Sequence, residues 1–333
     1  MAAKRSIRWG ILATGEIAHQ FAADLPAADG AELLAVGSRE LAKAEKFAGQ
    51  FKIPRCYNSY DKLLADKDID AIYVATPHPL HVENTIAALQ AGKAVLCEKP
   101  FAVNAAEARR MIAAARQHRR FCMEAMWTRF LPVHVRLREL LGQGAIGQVQ
   151  MLTADFGFAS SPEKEDRLFN PAMAGGSLLD VGVYPIALSF MVLGPPSRII
   201  AQACIGPTGV DERAAMIFRY GTGALALLSS AIATATPQEA ILCGSEGRIR
   251  LPRPWWRGEK IILSRPDRED EVIELPIVGN GLHYEADEVA RCLRKGLRQS
   301  RIMPLAETLK IARTMDRIRR QWKLSYPFES HLI

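Results

Sequence analysis

The chain has 333 residues, 49% of them hydrophobic and 24% charged, enough for about two domains, each with its own core. Glycine (24) and proline (19) are at ordinary levels and no segment repeats at a fixed period, which excludes collagen, low-complexity disorder and solenoids. The net charge is +7, and the excess is local: from Arg291 to Lys323, eleven Lys or Arg accompany only Glu307 and Asp316, a pattern that reads as the solvated faces of two helices rather than a nucleic-acid footprint.

The first third alternates short apolar runs with helical periodicity. SIRWGILAT reads as a strand, followed by a helix carrying Ile17, Phe21 and Leu25; AELLAVGS is a second strand, followed by a helix with Leu41, Ala44, Phe47 and Phe51. The alternation continues through the strand DAIYVATP, a helix over 80–91, the strand KAVLCEKP, a helix over 105–118 and the strand RFCMEA. Strands alternating with helices predict a parallel, doubly wound sheet covered on both faces, with ligands across the carboxyl ends of its strands.

After about Met126 the pattern changes. A helix over 131–141, the strand GQVQMLTADFGF, a polar stretch with FNPAMAGG and a helix over 178–193 lead into strands that follow one another: SRIIAQACI, ERAAMIFRY, GALALLSSAI, QEAILCGS, GRIRLP, KIILSR and DEVIELP. Short strands bounded by Gly or Pro, mostly without intervening helices, predict an antiparallel sheet. Two helices, over 283–297 and 304–322, close an α+β second domain, the latter opening on Pro304 in a first-turn position.

The longest run free of charge and proline in the second half, Ala224 to Thr236, is interrupted by Ser and Thr and falls short of a membrane span. The basic start MAAKRSIRWGILATG runs directly into a glycine turn, a poor signal peptide. The six cysteines are never closer than 25 residues and form no CxxC pair, so reduced thiols and a cytoplasmic location are expected, with no membrane partner. No HExxH is present, and the close pair His78 and His81 has no matching acid motif; no metal is expected. GxSxG is absent as well, which argues against a serine nucleophile.

The turn after the first strand carries the most information. Ala13-Thr-Gly15-Glu-Ile-Ala18 has the spacing of a dinucleotide fingerprint with Ala in the first place. Gly15 stands where a side chain would block approach of the backbone to a pyrophosphate, and Ala18 still permits close packing of helix on sheet. At the end of the second strand, where an NAD-selective fold offers Asp or Glu to the ribose, the run AVGSRELAK has Ser38 and Arg39. An arginine pairs with a 2′-phosphate, so NADP is favoured; the other reading of Arg39 is a solvated residue at a helix start. Glu98-Lys99-Pro100 ends a strand, where Lys99 is either a substrate-binding residue or surface decoration and the proline can be cis. GGSLLDVGVYPI places Asp180 and Tyr184 four residues apart on one helical face, as an inward polar pair or as a structural cap and a half-buried ring.

The turn around Gly15, the TPHPLH run at Thr76 to His81, CEKP and GGSLLDVGVYP together resemble the glucose-fructose oxidoreductase, inositol dehydrogenase and MocA (Gfo/Idh/MocA) family over essentially the whole chain. Within it, MWTRF at Met126 to Phe130 and Tyr rather than His at 184 resemble the branch of dimeric dihydrodiol dehydrogenases and NADP-dependent D-xylose dehydrogenases. The resemblance implies a Rossmann domain for NADP(H) over 1–126. It implies an α+β domain over 127–333 for substrate and oligomerisation, with a large, mostly antiparallel open sheet and a homodimer or larger assembly through it. Catalysis falls to Lys99, Asp180 and Tyr184. The cofactor surface comprises Gly10, Ala13, Thr14, Gly15, Glu16 and Ile17 in the first turn and Ser38, Arg39 and Lys43 in the second. Thr76, Pro77, His78, His81, Glu98, Lys99 and Trp127 complete it. Substrate falls to Lys99, Trp127, Arg129, Phe156, Asp180 and Tyr184. Two residues depart from the family pattern, Ala13 for a glycine and His78 for an asparagine. His19, His118, His134, His283 and His331 match no motif and are expected to be surface or satisfied core residues.

The implied reaction moves a hydride between a nicotinamide and a secondary alcohol, hemiacetal or carbonyl of a sugar or cyclic trans-diol. It needs one proton managed at the alcohol oxygen. A free Tyr titrates near ~10 and a free Lys near ~10.4, so either base must be tuned by a neighbouring charge or by burial. The competing readings are a sugar-modifying enzyme whose tightly held cofactor is only transiently reduced, and an NADP-sensing regulator without catalysis. The presence of all three catalytic candidates argues against the latter.

Overall fold

A computed structural model describes residues 5–160 and 167–329; His331 and part of the polar stretch ahead of FNPAMAGG lie outside the described residues. The chain forms two units, one of Met1–Phe130 with Ile277–Leu309 and one of Leu131–Pro276 with Lys310–Ile333.

The first unit runs β1 (Ile7–Leu12), α1 (Glu16–Asp24), β2 (Ala31–Gly37), α2 (Leu41–Phe51), β3 (Arg55–Tyr57), α3 (Tyr60–Ala65), β4 (Ala71–Val74), α4 (His81–Gln90), β5 (Ala94–Glu98), α5 (Ala105–Gln117) and β6 (Cys122–Ala125). All strands are parallel, in the order β3-β2-β1-β4-β5-β6. Every residue of β4, β5 and β6 is buried, as sheets covered by helices on both faces require. The order reverses direction between β1 and β4, and the crevice at such a reversal is where doubly wound folds bind ligands. The doubly wound reading therefore holds. Two elements escape it: β3, of three residues, and α3, of six, are too short to show periodicity.

The second unit contains α6 (Pro132–Gly142), β7 (Val149–Gly157), a π-helical turn over Leu178–Gly182 that runs into α7 (Val183–Leu193), and β8 (Arg198–Ile205), β9 (Asp211–Arg219), β10 (Leu225–Ala231), β11 (Ala240–Gly244), β12 (Arg248–Leu251), β13 (Lys260–Ser264) and β14 (Glu271–Glu274). Its eight-stranded sheet has the order β14-β13-β12-β11-β7-β10-β9-β8. The pairings are antiparallel as expected, except that β10 runs parallel to β7. Strand alternation is regular in β9, where every second residue is buried. One face packs on α7. On the other face a single cross-strand row runs Ile200, Ile217, Leu227, Thr153, Ile241, Arg250, Ile262, Val272, and four of its apolar members, Ile200, Ile217, Leu227 and Val272, are exposed.

The last two helices are α8 (His283–Arg294) and α9 (Leu305–Trp322). The sequence suggests one cut at 126, yet Ile277–Leu309 joins the first unit. Side-chain bonds to distant residues account for this. The Asp24 carboxylate accepts the Asn280 and Leu282 N–H groups, each at 2.9 Å, and Arg294 meets Asp29 at 3.2 Å. Among the described residues, one helical stretch, Pro171–Leu193, is long and apolar enough to cross a membrane, and 83% of its apolar window is buried inside the protein; it is the core helix of the second unit.

Candidate active site

In the first unit the expected cofactor residues gather at the carboxyl ends of the strands, with Ala13 and Gly15 after β1, Ser38 and Arg39 after β2, Thr76 after β4, Lys99 after β5 and Trp127 after β6. Ala13 adopts φ 92°, a conformation that favours glycine, so the position keeps the backbone of the usual first glycine at a cost of about 1–3 kcal/mol. A Cβ built on Gly15 meets nothing within 4 Å. Gly15 is also the N-cap of α1, and no side chain caps that helix. Uncapped N–H groups and the positive end of the helix dipole, beside open space at a glycine, fit a dinucleotide pyrophosphate. Gly10 does different work: it lies inside β1, where a Cβ would stand 2.8 Å from the Ile72 side chain, so it serves packing rather than the cofactor.

Ser38 is buried and its hydroxyl accepts the Glu40 N–H at 3.3 Å, whereas Arg39 is exposed and its charge lies near the Tyr60 hydroxyl. No carboxylate stands at the last residue of β2 or at the two that follow. Lys43 is ion-paired with Glu40 at 2.7 Å on the exposed start of α2.

The segment after β4 is braced from beneath. His81 is completely buried, with Nδ1 2.9 Å from the Pro100 carbonyl oxygen and Nε2 2.7 Å from that of Thr76. Burial pulls its imidazole down to about 4, opposed by the two carbonyl oxygens, which favour an N–H on each ring nitrogen. Its place is therefore a strut between the Thr76-Pro77 turn and the Lys99-Pro100 bond, which is cis; a fully buried ring does not contact a cofactor. His78 is buried with its ring centroid 5.8 Å from that of His81. Glu98 is also interior: it accepts the Tyr73 hydroxyl and, at 3.1 Å, the Lys99 N–H. Glu285 of α8 lies near it, fully buried, and burial, reinforced by the Glu98 charge, pushes its carboxyl well above the ordinary range. No sequence signal marks Glu285, which is 187 positions from Glu98.

Arg129 is expected at the substrate, and the structure corrects this. It is buried, pairs with Glu307 and donates to the Ile302 carbonyl at 3.1 Å. The guanidinium is used within the first unit by a partner 178 positions away, a separation that hides the pair from any sequence pattern.

In the second unit the GGSLLD run builds one turn. Gly176 has φ 113°, and a Cβ there would stand 2.2 Å from the Asp211 carboxylate; a Cβ on Gly175 would stand 2.5 Å from the Leu168 carbonyl oxygen. The Asp211 carboxylate accepts the Ser177 hydroxyl at 2.9 Å and the Leu178 N–H at 2.7 Å, fixing the start of the π-helical turn. Burial pushes Asp211 up to about 6 against these bonds. Asp180, within that turn, pairs with Arg167 at 2.8 Å. Tyr184, one turn later, is buried with its ring centroid 5.3 Å from that of Phe156, and Phe156 stacks on Trp256 at 3.4 Å. Asp180, Tyr184 and Phe156 thus share one unit with two residues absent from the sequence reading, Arg167 and Trp256. Tandem tryptophans after a proline are a signal for the latter; Arg167 offered none. A π-helical turn is itself a feature often found at functional sites.

Comparison with known proteins gives a concordant result. The family model described as "Oxidoreductase family, NAD-binding Rossmann fold" matches residues 7–126, and the GFO/IDH/MocA C-terminal domain matches residues 134–250. A trans-1,2-dihydrobenzene-1,2-diol dehydrogenase of Xenopus tropicalis is 39% identical over 330 residues, covering 96% of this chain and 99% of its own. Among solved structures, a 3-ketoreductase from Actinomadura kijaniata in complex with NADP and TDP-benzene superposes with a TM-score of 0.85 at 27% identity, over 95% of this chain and 98% of its own. An aldose-aldose oxidoreductase from Caulobacter crescentus, complexed with glycerol, superposes at 0.88 and 25% identity, over 96% and 98%.

Proposed function

The chain belongs to the GFO/IDH/MocA oxidoreductase family, and from that premise we propose that it is an NADP(H)-dependent dehydrogenase acting on a CH–OH carbon of a cyclic trans-diol or a sugar. The observation that carries the reading is the Gly15 turn: an uncapped helix start beside a glycine whose missing side chain opens on free space. Ala13, Thr14, Gly15, Glu16 and Ile17 would hold the pyrophosphate, and Thr76, Pro77, His78, Lys99 and Trp127 the nicotinamide end. NADP rather than NAD follows from Ser38 and Arg39, since Arg39 is exposed and charged where a ribose-binding acid would repel a 2′-phosphate.

When bound, the nicotinamide supplies the redox step by taking or giving a hydride. The chain's own residues bind the alcohol, orient it and move one proton. We assign that proton to the Tyr184 hydroxyl, which receives it from the substrate O–H in oxidation and returns it in reduction. The Lys99 ammonium holds the charge that develops on the substrate oxygen. Asp180, fixed by Arg167, orients a neighbouring hydroxyl. The stacked Phe156 and Trp256 beside Tyr184 offer a flat apolar wall to a six-membered ring. In this reading Arg129 does not touch the substrate, and His81 and Glu98 act as positioning residues.

The test is an assay of NADP and NAD reduction across trans-dihydrodiols, pentoses, hexoses and inositols. Reduction of NADP by at least one diol or sugar, with NAD a weaker acceptor, is expected. Equal calorimetric affinities for the two cofactors would overturn the NADP assignment, and inactivity on every diol and sugar would overturn the substrate class. We further place the enzyme in the cytoplasm, in keeping with six unpaired cysteines. We assign it a homodimer or larger assembly through the exposed apolar row of the eight-stranded sheet. Sedimentation as a monomer at micromolar concentration would refute the assembly.

A further inference from the structure

The first unit holds a second concave site, at the amino ends of its strands, opposite the Gly15 turn. Ile7, Ala94 and Phe121, at or just before the starts of β1, β5 and β6, line an open hollow of about 870 Å³, together with the end of α8 and the residues that follow it. A smaller hollow of about 610 Å³ shares Gly296, Leu297 and Arg298 with it and continues along the chain to Pro304.

Its charge is one-sided. Seven Lys or Arg line the larger hollow against the single acid Asp70, and Asp70 is already used, accepting Arg5 at 2.6 Å and the Arg8 N–H at 3.0 Å. Arg294 is held by Asp29. The buried Lys93 ammonium donates to the Ile69 carbonyl at 3.0 Å and to that of Asp66. Burial pulls this ammonium below its usual value; Asp66 and Asp70 oppose the shift, while Arg8 and Arg120 add to it by repulsion. The remaining four, Lys67, Arg119, Arg120 and Arg298, are exposed and have no carboxylate partner among the described residues. Like charges gathered without counter-ions repel one another, and an anion in the hollow would relieve that repulsion.

We propose that this hollow binds a small molecule carrying two or more phosphate groups. One carboxylate would neutralise only one of the four unpaired cations, whereas adjacent phosphates present several acceptor oxygens to guanidinium forks at once. The hollow has the size of a small-ligand site. A nucleic-acid surface would instead be an extended basic stripe with exposed stacking rings, and Phe121 is buried. The basic run from Arg291 onward thus contributes Arg294 and Arg298 to a site, rather than only coating helices.

The probe is inorganic triphosphate, titrated calorimetrically into the full chain and into Gly15→Ala, the latter to set aside any binding at the Gly15 turn. One saturable site is expected, weakened at least about tenfold in the Arg120→Ala/Arg298→Ala double variant, a loss of ~1.4 kcal/mol per tenfold. Both side chains are exposed, so little change in stability is expected of the variant. Arg268→Ala, a charge removed from the second unit, should leave the affinity unchanged. Three outcomes would overturn the proposal: no saturable binding up to about 1 mM, a probe weaker than most specific small-ligand contacts; an equal loss with Arg268→Ala; or tighter binding of a single-stranded oligonucleotide than of triphosphate, with affinity rising with its length. The test reads binding alone and stands apart from the dehydrogenase assignment.

Discussion

Two glycine-bearing turns, each leading into a helix, hold the residues of the proposed site, and they use glycine for opposite ends. At the β1–α1 turn the space beside Gly15 is empty and the helix start has no side-chain cap. At the start of α7 the space beside Gly175 and Gly176 is filled by the Leu168 carbonyl and the Asp211 carboxylate, and Asp211 bonds the helix start. The first turn leaves backbone donors for a ligand to satisfy; the second satisfies them internally, and offers side chains one turn further on. A glycine before a helix therefore marks either room for a ligand or the closeness of another part of the chain, and only the tertiary neighbours distinguish the two.

The contrast is broken most severely at Gly176. Gly176→Ala puts a Cβ 2.2 Å from the Asp211 carboxylate at φ 113°, so the turn must give up either its conformation or its cap. We expect a loss of about 3 kcal/mol or more, from strain and overpacking together, read as a lower denaturant midpoint. A midpoint within experimental error of the parent would show that Asp211 does not hold this turn.

Tyr184→Phe probes the same turn without disturbing its packing. The ring and its contact with Phe156 remain, so stability changes little, while turnover should fall roughly 10² or more, the scale of a lost acid–base group. Lys99→Met should lower turnover by a similar factor. If Tyr184→Phe keeps most activity while Lys99→Met loses it, the proton belongs to Lys99; full activity in both would show that neither residue takes part in the chemistry.

The sequence makes much of this legible because the fold is built from repeated local patterns. Apolar β4, β5 apolar up to Glu98, alternating β9 and the spacing of Ala13, Gly15 and Ala18 are all local, and each stands in the structure where its pattern implies. What escapes is what depends on distance along the chain. Arg129 is expected at the substrate, but its partner is Glu307. His81 and Glu98 read as ligand-facing, but burial turns both inward. Asp24 draws the loop before α8 back to the first unit, which no composition shift marks. The short β3 and α3 are set by polar contacts instead of apolar period: Asp66, following α3, accepts both Arg55 and Tyr57 of β3, each at 2.8 Å.

The smallest expected effect is the sharpest test of the contrast, because it separates binding from stability at one atom. Gly15 has φ −75° and ψ 179°, extended backbone that any residue adopts, and its added Cβ would touch nothing in the protein. Gly15→Ala should therefore leave the unfolding free energy within about 0.5 kcal/mol of the parent, as for a substitution that creates no clash and removes no contact. A pyrophosphate at the helix start would meet that methyl group, so NADP affinity should fall about tenfold or more, near 1.4 kcal/mol. Gly10→Ala is the complement: its Cβ presses on the Ile72 side chain at 2.8 Å, so stability falls by about 1–3 kcal/mol while the folded protein keeps its NADP affinity. Calorimetric titration and thermal unfolding of the two variants read both quantities. Loss of stability in Gly15→Ala with affinity intact would make the empty space a structural accident, and the cofactor would have to be sought elsewhere in the first unit.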